Sequence, residues 1–269
     1  MKKRSIFLIS CLSFGYAFLY LPILILIGFS FNDANLSTTW THASLRWYRV
    51  LLDNDQAFKA LMLSLRIALI SATAATILGT LAGLALARFG RFRFRLLLAG
   101  MVSAPLVMPE VITGLALLTF FIALGNLVGW PEHRGVSTVT IAHITFSLAY
   151  VAVVVQSRLS SLDHALEEAA MDLGGRPMRV FFDVTLPLTA PAMVAGWLLS
   201  FTLSLDDLVI SSFVSGPGAN TLPMYIFSKV KLGVSPDINA LATIMIVTVA
   251  LVVGIAGYIG MRRRGSGLN

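Results

Sequence analysis

The chain has 269 residues, 57% of them hydrophobic and 12% charged, with a mean hydropathy of +0.84. That balance excludes an ordinary soluble domain and places the chain among integral membrane proteins. The net charge of +7 reflects basic residues in short loops between apolar stretches, so it reports membrane topology and no nucleic-acid partner is expected.

Stretches long enough to cross a bilayer, about 20 apolar residues each, fall at 6–31, 62–86, 97–123, 136–157, 188–213 and 239–261. Six crossings put both termini on one side. The first follows Lys2, Lys3 and Arg4; it is too long for a secretory signal and no small-x-small cleavage pattern follows, so it reads as a retained helix. It holds Cys11, the single cysteine, so no intrachain disulfide and no Cys-based metal site is expected. The next loop carries Trp40, Trp47 and Tyr48, and the 214–238 loop carries Tyr225; all suit an aromatic belt at the membrane interface. Pro105, Pro109 and Gly114 interrupt the third stretch, which predicts a broken helix beside a pore or a local packing irregularity.

Thirteen of the 20 Lys and Arg residues lie at the two termini, after the second stretch (Arg88, Arg91, Arg93, Arg95) and in the loop after the fourth (Arg158, Arg176, Arg179). These segments are therefore expected in the cytoplasm, and 32–61, 124–135 and 214–238 outside.

Residues 158–187 form the longest polar interruption. Ser160 with Asp163 reads as a helix start, and Gly174-Gly175 followed by Pro177 as a stop with a second short helix beyond. Between them Leu162, Ala165, Leu166, Ala169, Ala170 and Leu173 recur at helical spacing, with Asp163, Glu167, Glu168 and Asp172 on the other positions. Such a helix either lies on its own membrane domain or docks into a groove of another protein.

Three acids sit inside apolar stretches: Glu110 midway in the third, Asp206 and Asp207 in the outer half of the fifth. A carboxylate at such depth costs about 2.5–3.5 kcal/mol on insertion scales. Arg66 is the one base placed to pair with any of them, so uncompensated negative charge is expected near a translocation path. A cation would be attracted, and sulfate or phosphate repelled. His143 reads as a neutral interhelical hydrogen-bond partner. No HExxH, GxSxG or Cys-His pair is present, so no catalytic or metal residue is expected; GxxxxGK[ST] is also absent, so the chain does not cradle nucleotide phosphates.

Glu168-Ala169-Ala170, three residues, Gly174, nine residues, then Val184-Thr185-Leu186-Pro187 resembles the EAA loop of ABC importer permeases, EAA-x3-G-x9-I-x-LP, with Val for Ile. The resemblance implies an all-α membrane protein of the type I importer fold, with six spans and a cytoplasmic coupling helix. It implies that Glu168, Ala169, Ala170, Gly174, Leu186 and Pro187 contact a separate ATPase, which binds ATP and Mg while this chain binds no cofactor. A passive channel would not need such a loop.

Ala104 to Gly114, Phe201 to Ile210, Gly216-Pro217-Gly218 with Thr221-Leu222-Pro223, and Pro236 to Thr243 are together similar to the second permease subunit of spermidine and putrescine ABC importers. That similarity implies a bacterial inner-membrane subunit with both termini cytoplasmic. It implies polyamine import with putrescine first and spermidine or another small cationic or organic solute as the alternative, and Glu110, Asp206 and Asp207 as the cation path. The partners it implies are a second permease in a heterodimer, two copies of a cytoplasmic ATPase, a periplasmic polyamine-binding protein and membrane lipid. The expected division is an N-terminal helix and loop over 1–59, the permease domain over 60–260 and a tail over 261–269.

Overall fold

The computed structural model describes residues 6–34, 39–232 and 236–265; Lys2, Lys3 and Arg4 lie outside the described residues. In chain order the helices are α1 (Ile6–Phe29), α2 (Arg46–Leu52), α3 (Asp55–Arg88), α4 (Arg95–Val107), α5 (Glu110–Val128), α6 (Val136–Ser161), α7 (Ala165–Asp172) and α8 (Pro177–Val180). A π turn (Phe181–Thr185) leads into α9 (Leu186–Asp206), α10 (Val209–Val214), α11 (Leu222–Leu232) and α12 (Pro236–Gly265). Among the described residues five helical segments are long and apolar enough to cross a membrane: Phe7–Phe29, Asp55–Arg88, Glu110–Val128, Val136–Ser161 and Pro177–Asp206. Arg95–Val107 and Pro236–Thr248 are shorter apolar helices, the latter being the start of the expected sixth crossing.

Two expected helices are each divided. Met108 is extended (φ −78°, ψ 136°) and separates α4 from α5, in keeping with the bias of the Pro109 ring against helical geometry in the residue before it. Pro105, by contrast, stays inside α4. Asp207 is extended (φ −65°, ψ 119°) and separates α9 from α10. No proline marks this second break, so the sequence presented 188–213 as continuous.

The chain forms two compact units, residues 59–225 and residues 1–58 with 226–269. In the second, the Ser30 hydroxyl lies 2.7 Å from the Tyr48 hydroxyl. The buried Asn32 side chain accepts from the amides of Ala34 and Thr41 and donates to the Thr39 carbonyl, which pins the loop around the Asn32–Ala43 bridge. Trp40 stacks edge-on against Phe29 and is exposed as expected for a belt residue.

The 59–225 unit is built around α6, which packs most extensively against α9. Lipid supplies no hydrophobic drive between helices, so close approach of small residues does the work. On α3, Ala68, Ala72 and Ala75 are fully buried, and Gly79 and Gly83 continue the stripe. A Cβ at Gly83 would lie 2.9 Å from the Ala152 carbonyl oxygen and 3.1 Å from the Gln156 nitrogen, while Gly79 and Gly196 both abut Val151. Backbone cannot step aside as a side chain can. Gly83→Val is therefore expected to cost about 1–3 kcal/mol, read as a lower thermal midpoint in detergent. Gly15→Val, at a position with nothing within 4 Å, should leave the midpoint unchanged. Tyr225 belongs to this unit and is 4% exposed, so it is a packed residue and not the belt residue its loop position suggested.

Candidate functional site: the 158–187 loop and the paired helix breaks

α6 continues through Ser160 to Ser161, so Ser160 ends a helix instead of starting one. The start signal is Asp163, whose carboxylate accepts from the Ala165 amide at 3.0 Å. At the other end the Gly175 amide bonds to Ala170 O (3.0 Å) and the Gly174 amide to Met171 O (2.9 Å), the paired pattern of a Schellman stop. Gly174 has φ +90°, as the stop signal required. Gly175 is needed for a different reason: a Cβ there would meet Ala170 O at 2.6 Å.

The expected second helix is α8, but it does not end before the membrane segment; it runs through the π turn into α9. Pro187, the second residue of α9, has no amide to give to Asp183 and crowds its carbonyl. Local widening to a π turn just before it accommodates that ring. Leu186 and Pro187 thus begin α9.

Glu168, Ala169 and Gly174 are exposed and Ala170 is half-buried. Leu166 (49% exposed) and Leu173 (91% exposed) leave the apolar side of α7 largely uncovered within this chain. Glu167 turns the other way. Its Oε1 accepts from Arg88 Nε at 3.2 Å and from the Thr185 hydroxyl at 2.9 Å, with Arg88 and Glu167 side chains only 8% and 18% exposed. In the sequence Glu167 reads only as one of the acids on the non-apolar positions of this helix, and Arg88 only as a topology signal. The available hint was spacing, since Glu167 lies four residues after Asp163, whose side chain turns the chain into α7, and one before the motif.

The intramembrane acids gather at the two helix breaks. Glu110 is the first residue of α5, and Asp206 and Asp207 end α9 just before α10. α5 packs along α10, and a Cβ at Gly114 would meet the Phe213 ring at 2.7 Å and the Ile210 backbone at 3.4 Å. Glu110 lies one turn before Gly114, so all three acids sit at the same end of this helix pair.

Their surroundings differ. Glu110 and Asp206 are exposed on this chain, whereas the Asp207 side chain is 7% exposed and lies 3.1 Å from His143 Nε2. Asp207 also accepts from the amides of Ile210 (3.1 Å) and Ser211 (2.7 Å), capping α10. His143, 2% exposed, reaches Ser204 Oγ at 2.6 Å through Nδ1 and Ser211 Oγ at 3.0 Å through Nε2. Ser71 Oγ donates to Ser204 Oγ at 3.0 Å. The pairing that Arg66 could have supplied is not formed: Arg66 is exposed and makes no ion pair among the described residues. His143 takes that place, as the interhelical partner its sequence context indicated. A cavity of about 690 Å³ lies elsewhere, at the C-terminal end of α5 beside Glu132, His133 and Arg134, where the one acid is flanked by basic groups.

Residues 76–264 match the family described as binding-protein-dependent transport system inner membrane component. The chain is 56% identical over 259 residues to the putrescine transport system permease protein PotI of Escherichia coli K12, covering 96% of this chain and 92% of that one. It is 43% identical over 252 residues to the spermidine/putrescine transport system permease protein PotC of the same organism, covering 94% and 92%. Among solved structures, a bacterial ABC transporter involved in import of the acidic polysaccharide alginate superposes with TM-score 0.74 at 15% identity, covering 94% of this chain and 95% of that one. An inward-facing methionine ABC transporter superposes with TM-score 0.62 at 17% identity, covering 77% and 94%.

Proposed function

The chain belongs to the binding-protein-dependent transport system inner-membrane component family, and from that membership we propose that it forms half of the translocation path of an ATP-driven polyamine importer, with putrescine as its first substrate. It is a transport subunit and not an enzyme. The observation that carries the substrate class is the pair of exposed carboxylates, Glu110 and Asp206, at the α5 and α9 ends beside the helix breaks, together with the high identity to a putrescine permease. Fold does not decide substrate, as the likeness to an importer of an acidic polysaccharide illustrates. Charge does. A diammonium ion loses hydration at both ends on leaving water, and exposed carboxylates replace part of what is lost.

In this reading the exposed side of α7, with Glu168, Ala169, Ala170 and Gly174, docks on a cytoplasmic ATPase, present in two copies. A second permease completes the path, and a periplasmic binding protein delivers the solute. The chain lies in the bacterial inner membrane with both termini cytoplasmic. A cysteine at exposed Asn220, in a Cys11→Ser background, should then react with an impermeant thiol reagent from outside intact cells, and one at Asp172 should not. Reaction at position 172 alone would reverse the orientation.

The two acids that remain exposed do not share the structural duties of Asp207, so they test the path cleanly. Asp206→Asn keeps the shape and removes the charge. It is expected to raise the KM for putrescine uptake by about tenfold, the effect of about 1.4 kcal/mol, at unchanged membrane abundance. Glu110→Gln should act in the same direction. Wild-type KM in both would remove the carboxylates from the cation path. Competition between labelled putrescine and unlabelled spermidine in vesicles holding the complex tests selectivity: weak competition supports a putrescine permease, and equal competition the broader polyamine reading.

A further inference from the structure

The side of α7 opposite its exposed face holds a polar joint to which the transport reading gives no task. One oxygen of Glu167, Oε1, accepts from two elements at once: Arg88 at the end of α3 and Thr185 at the end of the π turn. Thr185 is 4% exposed. Arg88 turns a donor from each of its other two nitrogens to the same loop, with Nη1 2.8 Å from His164 Nε2 and Nη2 3.4 Å from Leu162 O. In such a sheltered place an ion pair strengthened by a hydroxyl resists separation far better than an exposed one.

The chain path between α7 and α9 is compliant by comparison. It passes the glycine pair, the four-residue α8 and then the π turn, a single-turn departure from the regular α-helical ladder. A displacement of α7 carried by the backbone alone would be absorbed there. The Glu167–Thr185 bond bypasses that stretch and reaches the start of α9 directly, while Arg88 ties the same carboxylate to α3. We propose that Glu167, with Arg88 and Thr185, is the positioning joint that delivers movement of α7 to α3 and α9 together. The proposal rests on the importer reading; the joint touches neither solute nor nucleotide.

The test is the number of putrescine molecules imported per ATP hydrolysed by the complete reconstituted complex. Glu167→Gln and, as the milder variant, Thr185→Val are expected to lower that ratio by about tenfold and by a few-fold respectively, while the ATPase still co-purifies and still hydrolyses ATP. The exchange Arg88→Glu with Glu167→Arg should recover part of the ratio lost by Glu167→Arg alone. A merely structural role would change abundance and leave the ratio intact. An unchanged ratio in Thr185→Val, together with an unchanged ratio or failed assembly in Glu167→Gln, would overturn the joint. Absence of ATP-dependent uptake in the wild-type complex would instead overturn the importer reading.

Discussion

Leucine in place of His143 is expected to destabilise the protein by about 3–5 kcal/mol, the cost of leaving a buried charge without its partner. The imidazole is 2% exposed and bonds Ser204, Ser211 and Asp207, so removing it takes the charged partner from a buried carboxylate held otherwise only by α10 donors, and one partner from each of two buried hydroxyls. Leucine offers similar volume, which isolates the polar loss from any cavity. Thermal unfolding in detergent and abundance in the membrane both read the effect. Asp207→Asn should cost less, because the amide oxygen still accepts from one of the two α10 amides. A midpoint for His143→Leu equal to that of the wild type would mean that the network is not holding the α9–α10 break.

Valine at Gly174 is expected to cost about 1–3 kcal/mol of local conformational strain and to release the ATPase. Nothing lies within 4 Å of a Cβ at this position and its φ is +90°, so the penalty comes from backbone conformation and not from a clash. That gives the series an internal control: Gly174→Ala should cost nearly as much as valine, and Gly174→Asn less, because asparagine tolerates the left-handed region. Loss of the stop lets α7 extend and turns Glu168 and Ala169 away from their docking positions. Co-purification of the ATPase should fall in the order Asn, Ala, Val while the protein stays in the membrane. Equal ATPase recovery across the series would separate the glycine from docking.

Much of this was legible in the sequence because it rests on local rules. The apolar stretches had the length of a bilayer crossing, Gly174 had the setting of a helix stop, and Pro109 had the power to break a helix. What escaped depends on tertiary partners. The break at Asp207 has no proline to announce it, since it is stabilised by the cap on α10 and by His143 from a helix more than 60 residues earlier in the chain. Arg66 was the obvious base by charge, yet a histidine with three hydrogen-bonding neighbours fits the buried site better than a guanidinium that lies exposed. Arg88 and Glu167 are 79 residues apart, and no periodicity in either segment links them.

The most direct test of the central claim is concentrative uptake by right-side-out vesicles or proteoliposomes containing this chain, its partner permease and the ATPase, supplied with the binding protein and labelled putrescine outside, on the side of the 214–238 loop. Accumulation that requires ATP on the opposite side, and that disappears when this chain is omitted, is the predicted result. Equilibration of putrescine down its gradient at the same rate with and without ATP would contradict it and leave a passive channel.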